Sequence, residues 1–187
     1  MFANATVVLN ACGRKKYSRR GTISGMDTAP AVPWLDEQEL SVWRALITTT
    51  TGLLATLDNE LQAAHGLSLG DYEVLVHLSE APDRALRMTD LAGSLHLSPS
   101  GITRRIDGLV RDGLVERHRC PTDRRGSYAV LTEAGQARLE ECAPTHVRGV
   151  RAHFIDWLSE RQLTNFANAL AHVEIDEDAA AGGCDGR

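Results

Sequence analysis

Between Met88 and Thr132 the chain reads MTDLAGSLHLSPSGITRRIDGLVRDGLVERHRCPTDRRGSYAVLT, and no other stretch constrains the fold as strongly. Two short helix signals come first, then a strand, an arginine-tipped loop and a second strand. Thr89 is placed to cap the first helix, with Asp90 in the first turn where the helix dipole favours an anion. Ser98-Pro99 opens the second, because serine caps well and proline at the first helical position gives up no needed N–H. That helix runs to about Asp112, and Gly113 stands where a glycine ends a helix. The order helix, helix, strand, loop, strand predicts a winged helix-turn-helix, a device for seating its second helix in a DNA major groove.

The second helix separates into two faces. Ile102, Ile106, Leu109 and Val110 recur at helical spacing and predict a stripe turned to the core. Ser100, Thr103, Arg104 and Asp107 fall on another face. Small hydroxyls with one arginine permit close approach to base edges, and arginine bonds guanine in bidentate fashion. Ser98 joins this set, while Arg105 and Arg111 lie beside it as expected phosphate contacts, which position rather than specify. On an isolated helix the same residues would read as a solvated charged face; the neighbouring helix and wing turn the reading toward DNA.

Leu114 to His118 and Ser127 to Leu131 alternate as two short strands. Arg124 and Arg125 form the tip of the loop between them and are candidates to enter a minor groove. Asp123 is expected to hold an arginine or the loop backbone by a charge-assisted hydrogen bond rather than to touch DNA.

These residues resemble the MarR family of bacterial transcription regulators. The resemblance rests on Asp123-Arg124-Arg125, on Leu131-Thr132-Glu133-Ala134-Gly135, on Ser98-Pro99-Ser100 through Arg104, and on Asp112-Gly113-Leu114-Val115. It covers roughly residues 34 to 175. It implies a homodimer whose winged domains are joined to a helical dimerisation region built from both ends of the chain. It also implies release from DNA by a small aromatic or anionic effector, and it makes Arg104 the recognition-helix arginine and Arg124 and Arg125 the wing arginines. Family ligand pockets vary, so no pocket residue carries over.

The net charge of −5 argues only superficially against a polyanionic partner. Residues 84 to 128 hold nine arginines against five carboxylates, whereas residues 26 to 83 hold one arginine against ten. Local field governs phosphate contact, so the basic segment outweighs the acidic total. Cys12, Cys120, Cys142 and Cys184 have neither disulfide nor metal spacing and read as free thiols of a reducing cytoplasm. A cysteine redox sensor is the alternative, with Cys120 at the wing base as the residue to watch. The seven histidines form no helical HxxxH pair and no cysteine-partnered set, so no metal or other cofactor is expected.

The remaining segments frame this unit. Residues 1–33 carry the basic run GRKKYSRRG before a Pro/Ala-rich stretch and read as a disordered arm. Translation from Met26 would remove most of it. Residues 34–66 hold a long dimerisation helix capped by Asp36 with Glu39, 67–132 the winged domain, 133–175 further dimerisation helices, and 176–187 a disordered tail. The helix of the winged domain's start follows Ser68-x-x-Asp71; another opens at Thr132 and runs to about Trp157, with Pro144 placed to kink it. A last helix follows the Ser159-x-x-Gln162 capping box. Trp43 and Tyr72 are candidates to line a ligand cleft, against the simpler expectation that each packs a core.

The expected fold is mainly α with a small β-wing: a winged helix-turn-helix plus a helical dimerisation region. The expected function is a cytoplasmic, sequence-specific transcription regulator, a homodimeric repressor that binds a palindromic double-stranded DNA operator and is released by a small-molecule ligand. No apolar run is long enough for a transmembrane helix. The competing expectation is a winged-helix protein–protein module whose wing arginines meet an acidic partner. No Ser/His/Asp set, phosphate loop or metal motif supports an enzyme.

Overall fold

The computed structural model describes residues 32–119 and 126–173. Most of the expected arm, the tail from Glu174 onward and the wing tip lie outside the described residues.

The long first helix, α1 (Glu37–His65), begins at the expected capping box. The Asp36 carboxylate accepts from the Glu39 amide at 2.8 Å, and the Glu39 carboxylate accepts from the Asp36 amide at 2.8 Å. Gly66 ends it in the left-handed region at φ 65, a conformation that glycine adopts without a Cβ penalty. Twenty-nine residues make a rod of about 44 Å. Only its last third is anchored: Leu57 and Leu61 are buried, while residues 41 to 52 are all exposed.

Helix α2 (Leu69–Glu80) is capped by Ser68, and Val74, Leu75 and Leu78 pass into the core. After it, Asp83 and Arg84 both take positive φ and turn the chain into a strand, β1 (Ala85–Arg87). Sequence periodicity had no purchase on β1, because three residues are too few to alternate. Helix α3 (Met88–Ser94) follows directly, with Arg87 and not Thr89 at the N-cap. The expected cap is corrected for a local reason. Arg87 pairs with Tyr128 across the sheet, so the helix begins as soon as pairing ends, and the Thr89 hydroxyl bonds Asp90 instead.

Helix α4 (Pro99–Arg111) leads through Gly113, at φ 73, into strands β2 (Val115–Arg119) and β3 (Ser127–Leu131). The antiparallel sheet is ordered β1-β3-β2, with Val130 of β3 opposite Ala85 on one side and Glu116 on the other. Helix α5 (Glu133–His153) starts at Thr132, whose hydroxyl accepts from the Gly135 amide at 2.9 Å. A Cβ on Gly135 would stand 2.1 Å from the Leu114 carbonyl oxygen, so only glycine lets this helix sit so close to the start of β2.

The helix passes through Pro144 but stops at His153, short of the expected Trp157. Phe154 leaves helical geometry, and a short turn over Ile155–Trp157 is closed by the Trp157 indole donating to the Ala152 carbonyl at 2.7 Å. The last helix, α6 (Glu160–Leu170), opens after Ser159, whose amide donates to the Gln162 side chain at 3.0 Å. One apolar core joins Leu57 and Leu61 of α1 to residues of α2, α3, α4, the sheet, and Leu139 and Cys142 of α5.

Candidate nucleic-acid interface

The reading face of α4 is set from behind. Ile102, Ile106 and Leu109 are buried, which rotates Ser100, Thr103 and Arg104 outward into solvent. Val110, expected in the same buried stripe, is 38% exposed. It sits 100° around the helix from Leu109, at the margin of the apolar face. The helix start is firm: the Ser98 hydroxyl accepts from the Gly101 amide at 3.1 Å and lies 3.2 Å from the Ser100 hydroxyl. Thr103 donates back to the Pro99 carbonyl at 2.8 Å, and the residue stays exposed. Among the described residues Arg104 and Arg111 make no hydrogen bond or ion pair.

Arg105 departs from its expected place among the phosphate contacts. Its Nη1 donates to Asp71 Oδ1 at 3.0 Å and approaches the Ser68 hydroxyl at 3.3 Å, so the guanidinium is engaged within the chain. Burial on the α2 side explains this: Arg105 lies 100° from Arg104 on the helix and faces the start of α2. Asp107, expected beside the bases, is held by the wing. Arg117 Nη2 lies 3.1 Å from Asp107 Oδ1 and 3.0 Å from the Thr103 carbonyl, tying β2 to the recognition helix. Sequence inspection missed Arg117 as a functional residue. Its period-two relation to buried Val115 was the available signal, though its partners were not.

On the wing, register pairs Val115 with Leu131 and Arg119 with Ser127. Arg87 donates to the Tyr128 hydroxyl at 3.0 Å and sits 5.5 Å from that ring's centre. The tip residues Cys120, Asp123, Arg124 and Arg125 lie outside the described residues, as do Cys12 and Cys184.

Trp43 and Tyr72 are not brought to one cleft. Tyr72 is 6% exposed, its ring centre 4.7 Å from that of His146 on α5. Burial pushes the Tyr72 hydroxyl up from its ordinary value and the His146 imidazole down. Trp43 is exposed near the other end of α1, 14 residues and so about 21 Å before Leu57. A solvent-open cleft of about 490 Å³ between α1 and α5 is lined instead by Glu60, Ala63, Ala64, Thr145, Arg148, Gly149 and Ala152. Cys142 is fully buried, and burial raises its thiol pKa, which keeps it protonated and a poor nucleophile.

Two helices, a three-stranded sheet and a basic reading face define a winged helix-turn-helix of the transcription-regulator class. The MarR family model matches residues 65–126. The chain is 36% identical over 100 residues to the HTH-type transcriptional repressor YetL of Bacillus subtilis, covering 54% of this chain and 60% of that one. It is 30% identical over 111 residues to the B. subtilis regulator MhqR, covering 59% and 74%.

Among solved structures, AbsC of Streptomyces coelicolor is 40% identical with a TM-score of 0.69, covering 74% of this chain and 93% of its own. Sco3205 of the same organism, solved in complex with DNA, is 36% identical with a TM-score of 0.72, covering 76% and 89%. The chain therefore belongs to the MarR family of transcriptional regulators.

Proposed function

We propose that two copies of this chain bind a palindromic double-stranded DNA operator and that a small aromatic or anionic effector lowers that affinity. One observation carries the DNA reading: on the exposed face of α4, Arg104 stands without a partner among the described residues, beside Ser98, Ser100 and Thr103. An exposed, unpaired guanidinium flanked by small hydroxyls is suited to a guanine edge. The match to Sco3205, itself solved with DNA, supports the same reading. Arg111 is assigned to a phosphate, and Arg124 and Arg125 to the minor groove, with Asp123 steadying the loop.

The dimer reading rests on apolar surface at both ends of the chain. Trp34 is 87% exposed, and Trp43, Ile47, Val147, Phe166 and Leu170 are exposed with it. Exposed large apolar side chains concentrated on α1, α5 and α6 are unfavourable in water and are suited to being covered in an assembly. A second copy, covering it with its own equivalent helices, places two Arg104-bearing helices on successive turns of one duplex, about 34 Å apart. An effector that prefers another separation shifts the population away from DNA.

The test is a duplex titration with sites selected from random DNA. Affinity is expected to fall steeply with salt, and to fall further in Arg104→Ala and in Arg124→Ala/Arg125→Ala. If those variants bind selected and random duplex as well as the parent does, the wing arginines serve a protein partner and the DNA reading is lost.

A further inference from the structure

We propose that Arg105 is a positioning residue: clamped on the backbone of Gly70 and paired with Asp71, it sets the angle of the recognition helix against α1 and α2, and so the half-site spacing that the dimer accepts. This inference rests on the DNA-binding reading above.

The geometry forms one continuous polar path across three helices. On α1, the Asp58 carboxylate accepts from the Leu69 amide, the first N–H of α2, at 2.7 Å. Beside it the Ser68 hydroxyl accepts from the Asp71 amide at 3.1 Å and donates to Asp71 Oδ2 at 2.6 Å. The other Asp71 oxygen receives Arg105 Nη1 at 3.0 Å. Each carboxylate oxygen of Asp71 thus has its own donor, which fixes the plane of the group and the direction of the arginine.

Gly70 makes the close seating possible. A Cβ there would stand 2.4 Å from Arg105 Nη1, 2.6 Å from Cζ and 2.7 Å from Nη2. The planar guanidinium therefore lies against bare backbone, in space that any side chain would fill. On its α2 side α4 needs this clasp because the other contacts there are apolar side chains, which resist separation but not rotation. The Arg117 tie to Asp107 and Thr103 lies on the wing side. Arg105 and Asp71 are both about 30% exposed on their side chains, so the pair contributes little to global stability while restricting orientation.

A phosphate contact and a positioning residue differ in what they change. Losing a phosphate contact flattens the salt dependence by about 0.9 per contact and weakens all sequences alike. Losing a positioning residue leaves the slope intact and relaxes the choice of spacing. The experiment uses the full chain and duplexes selected with the parent, together with copies whose two half-sites are moved one base pair closer or farther apart. Binding is measured over a salt series for the parent, Arg105→Gln, Asp71→Asn, their double variant and Gly70→Ala.

Gly70→Ala is the decisive member, because it removes no charge and places a better helix former in α2, so that its melting temperature is expected to hold or rise. Its methyl displaces the guanidinium. All variants are expected to lose about tenfold in affinity at the selected spacing and to discriminate poorly among the three spacings, with unchanged salt slopes. The double variant is expected to lose no more than either single one. A lowered slope in Arg105→Gln, with full spacing discrimination kept in Gly70→Ala and Asp71→Asn, overturns the proposal and makes Arg105 a phosphate contact. A parent that binds no selected duplex overturns the DNA reading itself, and the two failures are thereby distinct.

Discussion

Arg117 on β2 grips Asp107 of the recognition helix at 3.1 Å while the same nitrogen donates to the Thr103 carbonyl at 3.0 Å. One guanidinium nitrogen therefore joins the wing to the exposed face of α4 proposed to read DNA. The Asp107 side chain is 56% exposed, so the pair adds at most about 1 kcal/mol to stability. Arg117→Ala is expected to move the melting temperature by less than about 4 °C. Its operator affinity should nonetheless drop roughly fivefold to tenfold, because the wing no longer holds its register on α4. Melting curves beside duplex titrations separate the two effects.

The support behind α4 should be costly to remove. Ile106 is fully buried among core residues, and Ile106→Ala deletes packed methylenes and leaves a void, at a cost of about 2–5 kcal/mol. Val110→Ala, four residues on and partly exposed, is expected to cost under about 1 kcal/mol. Denaturant unfolding of both variants tests the burial boundary on this helix; equal losses would contradict it.

The exposed arginines of α4 should separate by role. Arg104→Ala is expected to cost about 1–3 kcal/mol of operator affinity and to relax selection at one base position per half-site. Arg111→Ala should weaken all duplexes alike and reduce the salt slope by about 0.9 per contact. Site selection repeated with each variant, over a salt series, reads both quantities.

Acid should destabilise the fold through His146. Burial lowers its pKa below the ordinary 6.5, with Glu73 opposing more weakly. Between the folded value and 6.5 the unfolded chain binds more protons, so stability rises with pH in that window. The contribution is complete above about pH 6.5 and diminishes as pH falls below it. His146→Phe keeps an aromatic ring against Tyr72 and removes the titration. Its melting temperature is expected to vary less than the parent's between pH 7.5 and 5.5, measured at constant ionic strength.

Legibility followed the range of each interaction. The caps at Asp36, Ser68, Ser98 and Thr132 were readable because each closes a bond to an amide three residues on. Thr89 misled, although it has the right side chain for a cap. The true start of α3 was set by strand pairing of Arg87 with Tyr128, 41 residues away. The outward turn of Ser100, Thr103 and Arg104 was also readable, since buried Ile102 and Ile106 fix it by helical period alone.

Local order thus came from the chain's own text: helix limits, apolar periods, the reading face and the basic segment that contains it. The roles of individual arginines came from the packed molecule. Arg104 and Arg105 are neighbours with the same chemistry, yet one faces solvent and the other meets Asp71, 34 residues earlier. A charge's partner depends on which helices lie side by side, and burial of the shared core makes that choice, through non-directional forces that no short motif records.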